Sequence, residues 1–359
     1  MAKGKEIQGK SPSYYAWQRL KKNRTAFFSL IFVFICMVIG LGGYAFLPDH
    51  TPNANNQNLE LELLPPMSKA LILQIQKKEQ PARSNAISFL FSGQVSSFDE
   101  KPIQQYRTDG PNIFVVPAGG GKEETYPSAE VKIIQRTYWL GTDRYGRDML
   151  SRLLLGTRIS FAVGLISVVI SLIIGVFLGA VAGFFRGWAD SVILWLMNVV
   201  WAIPTFLLVM AVSLVLGRGF WQVFVAVGLT MWVEVSRMVR GQILAARELD
   251  YVTAGRALGF KSSRIIIRHI LPNIFGPVLV IAAANFASAI LLEAGLSFLG
   301  LGVQPPMPSW GVMINDHYGY IVLNAAYLAI LPGLAIMFLV LAFNLLGNGL
   351  RDALDVKMR

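Results

Sequence analysis

Asp143 and Asp148 stand close together in the stretch 139–152 and are the first candidates for acid/base chemistry. Two carboxylates act as general acid and general base when their surroundings push their proton affinities apart. Here Gly141, Asp143 and Gly146 spell a tight turn, Arg144 and Arg147 neutralise the acids, and no histidine is near. The pair reads as turn and helix-cap acids. Gly121-Lys122-Glu123 has the look of a phosphate loop, but the glycine five residues earlier is missing and no Ser or Thr follows the lysine. His50, His269 and His317 are too scattered for a metal site, and Gly295-Leu-Ser297-Phe298 lacks the closing glycine of a nucleophile elbow. Two acids remain, Glu234 and Glu293, each inside an apolar run where an ionisable group is a functional candidate by default. Glu234 is near enough to Arg237 to predict an interfacial ion pair. Glu293 has no cation nearby in sequence and is expected to face a bundle interior, lining a pathway or meeting a partner subunit. Ser297 and Phe298 join it as pathway or gate candidates.

The elements that must position these residues are membrane spans. Of 359 residues, 54% are hydrophobic and 15% charged, against about 45–50% and about 25% in soluble domains. The mean hydropathy of +0.52 excludes disordered and disulfide-scaffold classes. The one cysteine, Cys36, permits no internal disulfide. Runs of about 20 apolar residues predict six transmembrane helices, at 26–47, 159–185, 192–216, 220–236, 273–299 and 327–346. The first run is longer than a signal-peptide core and reads as a retained anchor. Gly164, Gly175, Gly179 and Gly183 in the second predict close helix packing.

Charge flanks predict the orientation. Residues 1–25 carry seven basic residues against Glu6 alone, and 237–272 carry seven against Glu248 and Asp250. Both are expected to be cytoplasmic, as is the tail 351–359, giving a multi-pass cell-membrane protein with both termini inside. The stretch 300–326 has no Lys or Arg, and 48–158 balances 13 basic residues with 12 acidic ones, so both belong outside. Within 1–25, Tyr14, Trp17 and Leu20 interleave with Arg19, Lys21, Lys22 and Arg24, which suits an interfacial amphipathic helix. Basic residues beside apolar spans point to lipid headgroups and not to nucleic acid.

The segment 48–138 is an extracytoplasmic insert of mixed α/β character: an Asn/Pro/Gln-rich linker, a short helix over 68–79, and strands at 113–116 and 130–138 around a turn at 118–122. From Asp148 an amphipathic helix leads into the second span. The remainder, 139–350, contains the most informative loop, 237–272. There Tyr251, Ala254 and Leu258 share one helical face, Gly259 ends the helix 248–258, and Ser262 or Ser263 caps a second helix, 264–270, before Pro272. A helix–Gly–helix of this kind suits either a docking elbow or a basic loop held to anionic lipid.

The set Leu140-Gly-Thr-Asp-x-x-Gly-Arg-Asp148, Gly156-x-Arg-x-Ser160, Glu248-x-Asp-Tyr251, Ala257-Leu-Gly259, Arg268-His-Ile-Leu-Pro-Asn273, Leu296-Ser-Phe-Leu-Gly-Leu-Gly302, Pro308-Ser-Trp-Gly311 and Arg351-Asp-Ala-Leu-Asp355 resembles the C-type permease of ATP-binding-cassette importers for oligopeptides, dipeptides and nickel. The resemblance covers about 14–47 and 139–355. It implies an all-α polytopic type I importer permease fold and a heterodimer with a B-type permease. It also implies two peripheral ATPase subunits that hold the ATP and Mg, and an extracytoplasmic substrate-binding protein. No cofactor and no catalysis are expected on this chain. The family's coupling motif falls on 253–272, with Thr253, Gly255 and His269 departing from it. The resemblance therefore implies an ATPase-coupling role for Glu248, Asp250, Tyr251, Ala254, Leu258, Gly259, Arg264 and Pro272. The reading from residues alone that competes with it is an ion-coupled secondary transporter or channel using Glu293 and Glu234. A membrane enzyme comes third, for want of a site.

Overall fold

The computed structural model describes residues 12–81, 85–217 and 219–354; Lys3, Lys5, Glu6, Lys10, Asp355, Lys357 and Arg359 lie outside them. The chain divides into two compact units, one of Met1–Ile35, Ala162–Glu293 and Ile336–Arg359, the other of Cys36–Phe161 and Ala294–Ala335. Helices α1 (Pro12–Lys22) and α2 (Arg24–Gly42) open the chain. Then come β1 (Ser68–Gln76), α3 (Ala86–Ser92), β2 (Phe98–Asp109), β3 (Asn112–Pro117), β4 (Glu124–Pro127) and β5 (Val131–Tyr138). The remaining helices are α4 (Met149–Phe185), α5 (Gly187–Trp201), α6 (Thr205–Leu216), α7 (Phe220–Ala246), α8 (Asp250–Ala257), α9 (Ser262–Ile265), α10 (Phe275–Phe298), α11 (Trp310–His317) and α12 (Tyr327–Leu354). Among the described residues, five helices are long and apolar enough to cross a bilayer, and the pair α5–α6, bent by 92° at its break, makes up to a sixth. The protein is a polytopic helical membrane protein carrying one small sheet.

In the first unit the glycine stripe fixes how α4 meets α7. A Cβ on Gly175 would lie 2.7 Å from the carbonyl oxygen of Trp232, on Gly179 2.6 Å from that of Ser236, and on Gly183 2.8 Å from that of Arg240. Ser167 Oγ donates to the Phe224 carbonyl at 3.0 Å. Residue numbers rise together along both helices, so α4 and α7 run parallel over roughly 24 Å, at about 1.5 Å per residue. Two parallel neighbours need a connection that returns over the same distance, and α5 with α6 is that connection. The bent pair therefore counts as one crossing.

The third predicted span is thus corrected from one helix over 192–216 to two helices that break at 202–204. Pro204 offers no N–H and biases Ile203 away from helical geometry, whereas Pro332 is carried inside α12. The fourth span continues ten residues past 236. Its arginines are satisfied from distant sequence: Arg240 Nε and Nη2 bind the Asp190 carboxylate at 2.6 and 2.8 Å, and Arg237 lies 4.0 Å above the Trp201 ring.

In the second unit the sheet has the order β4-β3-β2-β1-β5, antiparallel throughout. The helix expected over 68–79 is instead the strand β1, which pairs with β2 and β5 and buries both Ile72 and Leu73. Burial on both faces erases the alternation that marks a strand. The expected linker is likewise overturned. Asn58 N–H donates to the Tyr145 carbonyl (3.1 Å), Leu63 N–H to that of Asp143 (3.2 Å), and Leu64 N–H to Thr142 Oγ1 (2.8 Å), so 48–66 is clasped to the 139–148 turn. Gly121-Lys122-Glu123 lies in the turn between β3 and β4.

Candidate functional site

The helix α8 is short, and its two faces have different fates. Val252 is fully buried against Phe184, Ile243, Ala246, Ile265 and Ile270. Tyr251, Ala254 and Leu258, the predicted apolar face, all point away from that cluster, with Leu258 72% exposed. Asp250 occupies the first turn, where an acid complements the helix dipole, and Glu248 precedes it in solvent, 3.4 Å from Arg247.

The turn that follows closes in a Schellman motif. Gly259 takes φ +73°, its N–H donates to the Arg256 carbonyl (2.9 Å), and Phe260 N–H donates to that of Gly255 (3.0 Å). Phe260 then lies between the Arg264 guanidinium, 4.1 Å from its ring centre, and the His269 ring, stacked at 5.9 Å and 13°. His269, a departure from the family motif, thus has a packing role. The second helix is corrected on two points. It is one α-turn, α9, followed by a π-helical turn over Ile266–Ile270, and its N-cap is Lys261 with no side-chain cap from Ser262 or Ser263. Pro272 is exposed just beyond.

The elbow is anchored to the ends of two long helices. Arg247 Nη1 donates to the Phe184 carbonyl at 2.8 Å, and Arg256 lies 5.3 Å over the Phe184 ring. Sequence reasoning missed Phe184, Arg247, Val252, Phe260 and His269. The usable signal was Val252 with Gly255, a pair three apart that is buried while Tyr251, Ala254 and Leu258 are exposed.

In the same unit a cavity of about 270 Å³ opens where α5 breaks into α6 against α7 and α10; it is lined by Trp201, Thr205, Thr230, Glu234, Ser288 and Leu292, among others. Glu234 does not pair with Arg237 as expected, because that guanidinium sits on Trp201 and donates to Asn198 Oδ1 (3.3 Å). Glu293 is fully buried and does not line the cavity. In the other unit, Ser297 Oγ accepts from Val303 N–H (3.2 Å), and the exposed Phe298 meets Tyr318 edge-on at 6.0 Å.

The 139–148 turn is a structural clasp. Asp143 is fully buried and accepts from the N–H of Tyr145 (2.9 Å) and Arg147 (3.0 Å) and from Arg147 Nε (2.7 Å), with Arg152 Nε at 3.8 Å. Arg144 does not neutralise it but pairs with Asp316 at 3.1 Å. Asp148 accepts from Ser151 N–H at 2.8 Å, and burial pushes its carboxyl up from the ordinary value against those hydrogen bonds. Gly146, at φ +69°, abuts the Asn58 backbone, and Gly141 abuts that of Leu64. Both acids are spent on holding the turn.

A family model described as binding-protein-dependent transport system inner membrane component matches residues 175–359, and one described as the N-terminal TM domain of oligopeptide transport permease C matches 11–66. Neither covers 67–174, which holds all five strands. The glutathione transport system permease protein GsiD of Pectobacterium atrosepticum is 46% identical over 222 residues, covering 62% of this chain and 73% of that protein. The dipeptide transport system permease protein DppC of Alkalihalophilus pseudofirmus is 40% identical, covering 66% and 77%. The oligopeptide transport system permease protein OppC of Bacillus subtilis is 39% identical, covering 62% and 73%. A chain from an inward-facing structure of the MetNI methionine ABC transporter aligns at a TM-score of 0.48 and 20% identity, covering 58% of this chain and 98% of that one.

Proposed function

From a chain that belongs to the binding-protein-dependent transport system inner membrane components, we propose one half of the translocation path for small peptides, driven by ATP hydrolysed on separate subunits. Permease function is common to the relatives, and it leaves no support for an ion-coupled carrier built on Glu293 and Glu234. The solute class follows the relatives' dipeptides, oligopeptides and glutathione. The partners are a B-type permease, two ATPase subunits holding ATP and Mg, and an extracytoplasmic substrate-binding protein. Both termini and 237–272 face the cytoplasm, since the positive flanks then agree with α5–α6 counting as one crossing.

The observation that carries the coupling role is the two-sided elbow. Its inner face is locked to the ends of α4 and α7 through Val252, Arg247 and Phe184, while its outer face leaves Tyr251, Ala254 and Leu258 for a partner. A push on that face reaches the spans through packed side chains. Loss of the elbow's basic charge alone would matter to a lipid tether; the apolar outer face favours a protein partner.

The test is nucleotide hydrolysis by the chain alone and in the full complex. The isolated subunit is expected to match a mock preparation, and the reconstituted complex to hydrolyse ATP and import a dipeptide. Robust hydrolysis from the isolated chain would contradict this reading.

A further inference from the structure

We propose that Glu234 receives the ammonium group of the imported solute in the cavity beside the α5–α6 break; this rests on the importer reading above. Glu234 sits midway along α7, a helix long enough to cross the bilayer, and its side chain is exposed on the wall of the cavity. A carboxylate at that depth does not face lipid and calls for water or a cation. Among the described residues no lysine or arginine comes within ion-pair distance of it, and its neighbour Arg237 is engaged by Trp201 and Asn198. A cation that meets it there comes from outside the described residues of this chain.

The rest of the wall suits the end of a peptide. Trp201 offers an aromatic surface, and Thr205, Thr230 and Ser288 offer hydroxyls around the acid. A volume of about 270 Å³ lies just under the usual range for small-molecule pockets, enough for one terminal residue but not for a whole oligopeptide. The anionic wall selects the amino end over the carboxylate end. The break at 202–204 creates the site, because it places Trp201 and Thr205 on either side of the same opening. Glu293, fully buried, cannot serve in its place.

The experiment uses the complete complex in proteoliposomes with binding protein loaded with Ala-Ala, whose one cation is its amino terminus. Glu234→Gln is expected to lower the number of dipeptides imported per ATP hydrolysed by about tenfold, and Glu234→Asp, which keeps the charge, by less than about threefold. Wild-type import by Glu234→Gln overturns the inference, as does an equal loss in both variants, which would place the effect in packing. Dissociation of the Glu234→Gln chain from its permease partner on gel filtration also overturns it, since the acid then serves subunit pairing. A wild-type complex that hydrolyses ATP without importing Ala-Ala sinks the importer reading and this inference with it.

Discussion

Gly259→Val is expected to abolish import by the reconstituted complex while leaving the chain inserted and folded. At φ +73° a Cβ would meet nothing within 4 Å, so the substitution acts through the backbone and not through a clash. A left-handed conformation costs a non-glycine residue roughly 1–2 kcal/mol, and a β-branched one suffers most. Relaxing φ breaks the two closing hydrogen bonds, from Gly259 to Arg256 and from Phe260 to Gly255, and withdraws Phe260 from between Arg264 and His269. The outer face of α8 is then re-aimed relative to Arg264 and the π-helical turn. Import and ATP hydrolysis stimulated by loaded binding protein are the paired readouts, and stimulation should fall with import. Gly259→Asn, which tolerates left-handed geometry, should retain most of both. Wild-type import by Gly259→Val would favour the lipid-tether reading, because the seven basic residues of 237–272 are untouched.

The second large effect lies in the sheet. Glu100 on β2 accepts from Arg136 Nη1 and Nη2 (2.8 and 2.7 Å), Gln74 Nε2 (2.9 Å) and Asn56 Nδ2 (2.6 Å), tying three strands and the 48–66 segment to one carboxylate. Its side chain is 6% exposed, and that of Arg136 24%. Burial alone would raise the Glu100 pKa, but Arg136 with the two amides holds it below the ordinary value. Arg136→Met leaves the charge enclosed and should destabilise the second unit by about 3 kcal/mol, the lower end for a broken buried pair because Arg136 is partly wet. The measurement is denaturant-dependent proteolysis of the 48–138 segment in the intact chain. Because the folded pKa is depressed, the stabilisation is present above the unfolded value and is lost as pH falls through the folded one. The gap between wild type and Arg136→Met should therefore be widest at neutral pH and close in acid. A gap that stays constant down to pH 3 would show that Glu100 is not the group responsible.

How far the residues announced this structure depends on whether the determining contacts were local. Gly259 could be placed because a helix-ending glycine is a local requirement, and the spans because 20 apolar residues have few other uses. β1 was hidden because Ile72 and Leu73 are both buried in a central strand, and β2 because Pro102 and a register shift between Ile103 and Gln105 interrupt its pattern. The end of α7 was misplaced because Arg237 and Arg240 look like a cytoplasmic flank until Trp201 and Asp190 are seen beside them. The cavity at Glu234 depends on a break at Pro204, and a proline inside an apolar run does not announce whether it bends the helix, as Pro332 shows.

Whether the outer face of α8 is the ATPase contact is best tested by cross-linking from Ala254→Cys in a Cys36→Ala background, with a cysteine-attached benzophenone in the complete, transport-competent complex. Ala254 lies between Tyr251 and Leu258 on the exposed face, opposite buried Val252. The predicted product is a covalent adduct with the ATPase subunit, absent when the probe is moved to position 252. Adducts with lipid alone, from a complex that still imports peptide, would contradict the account.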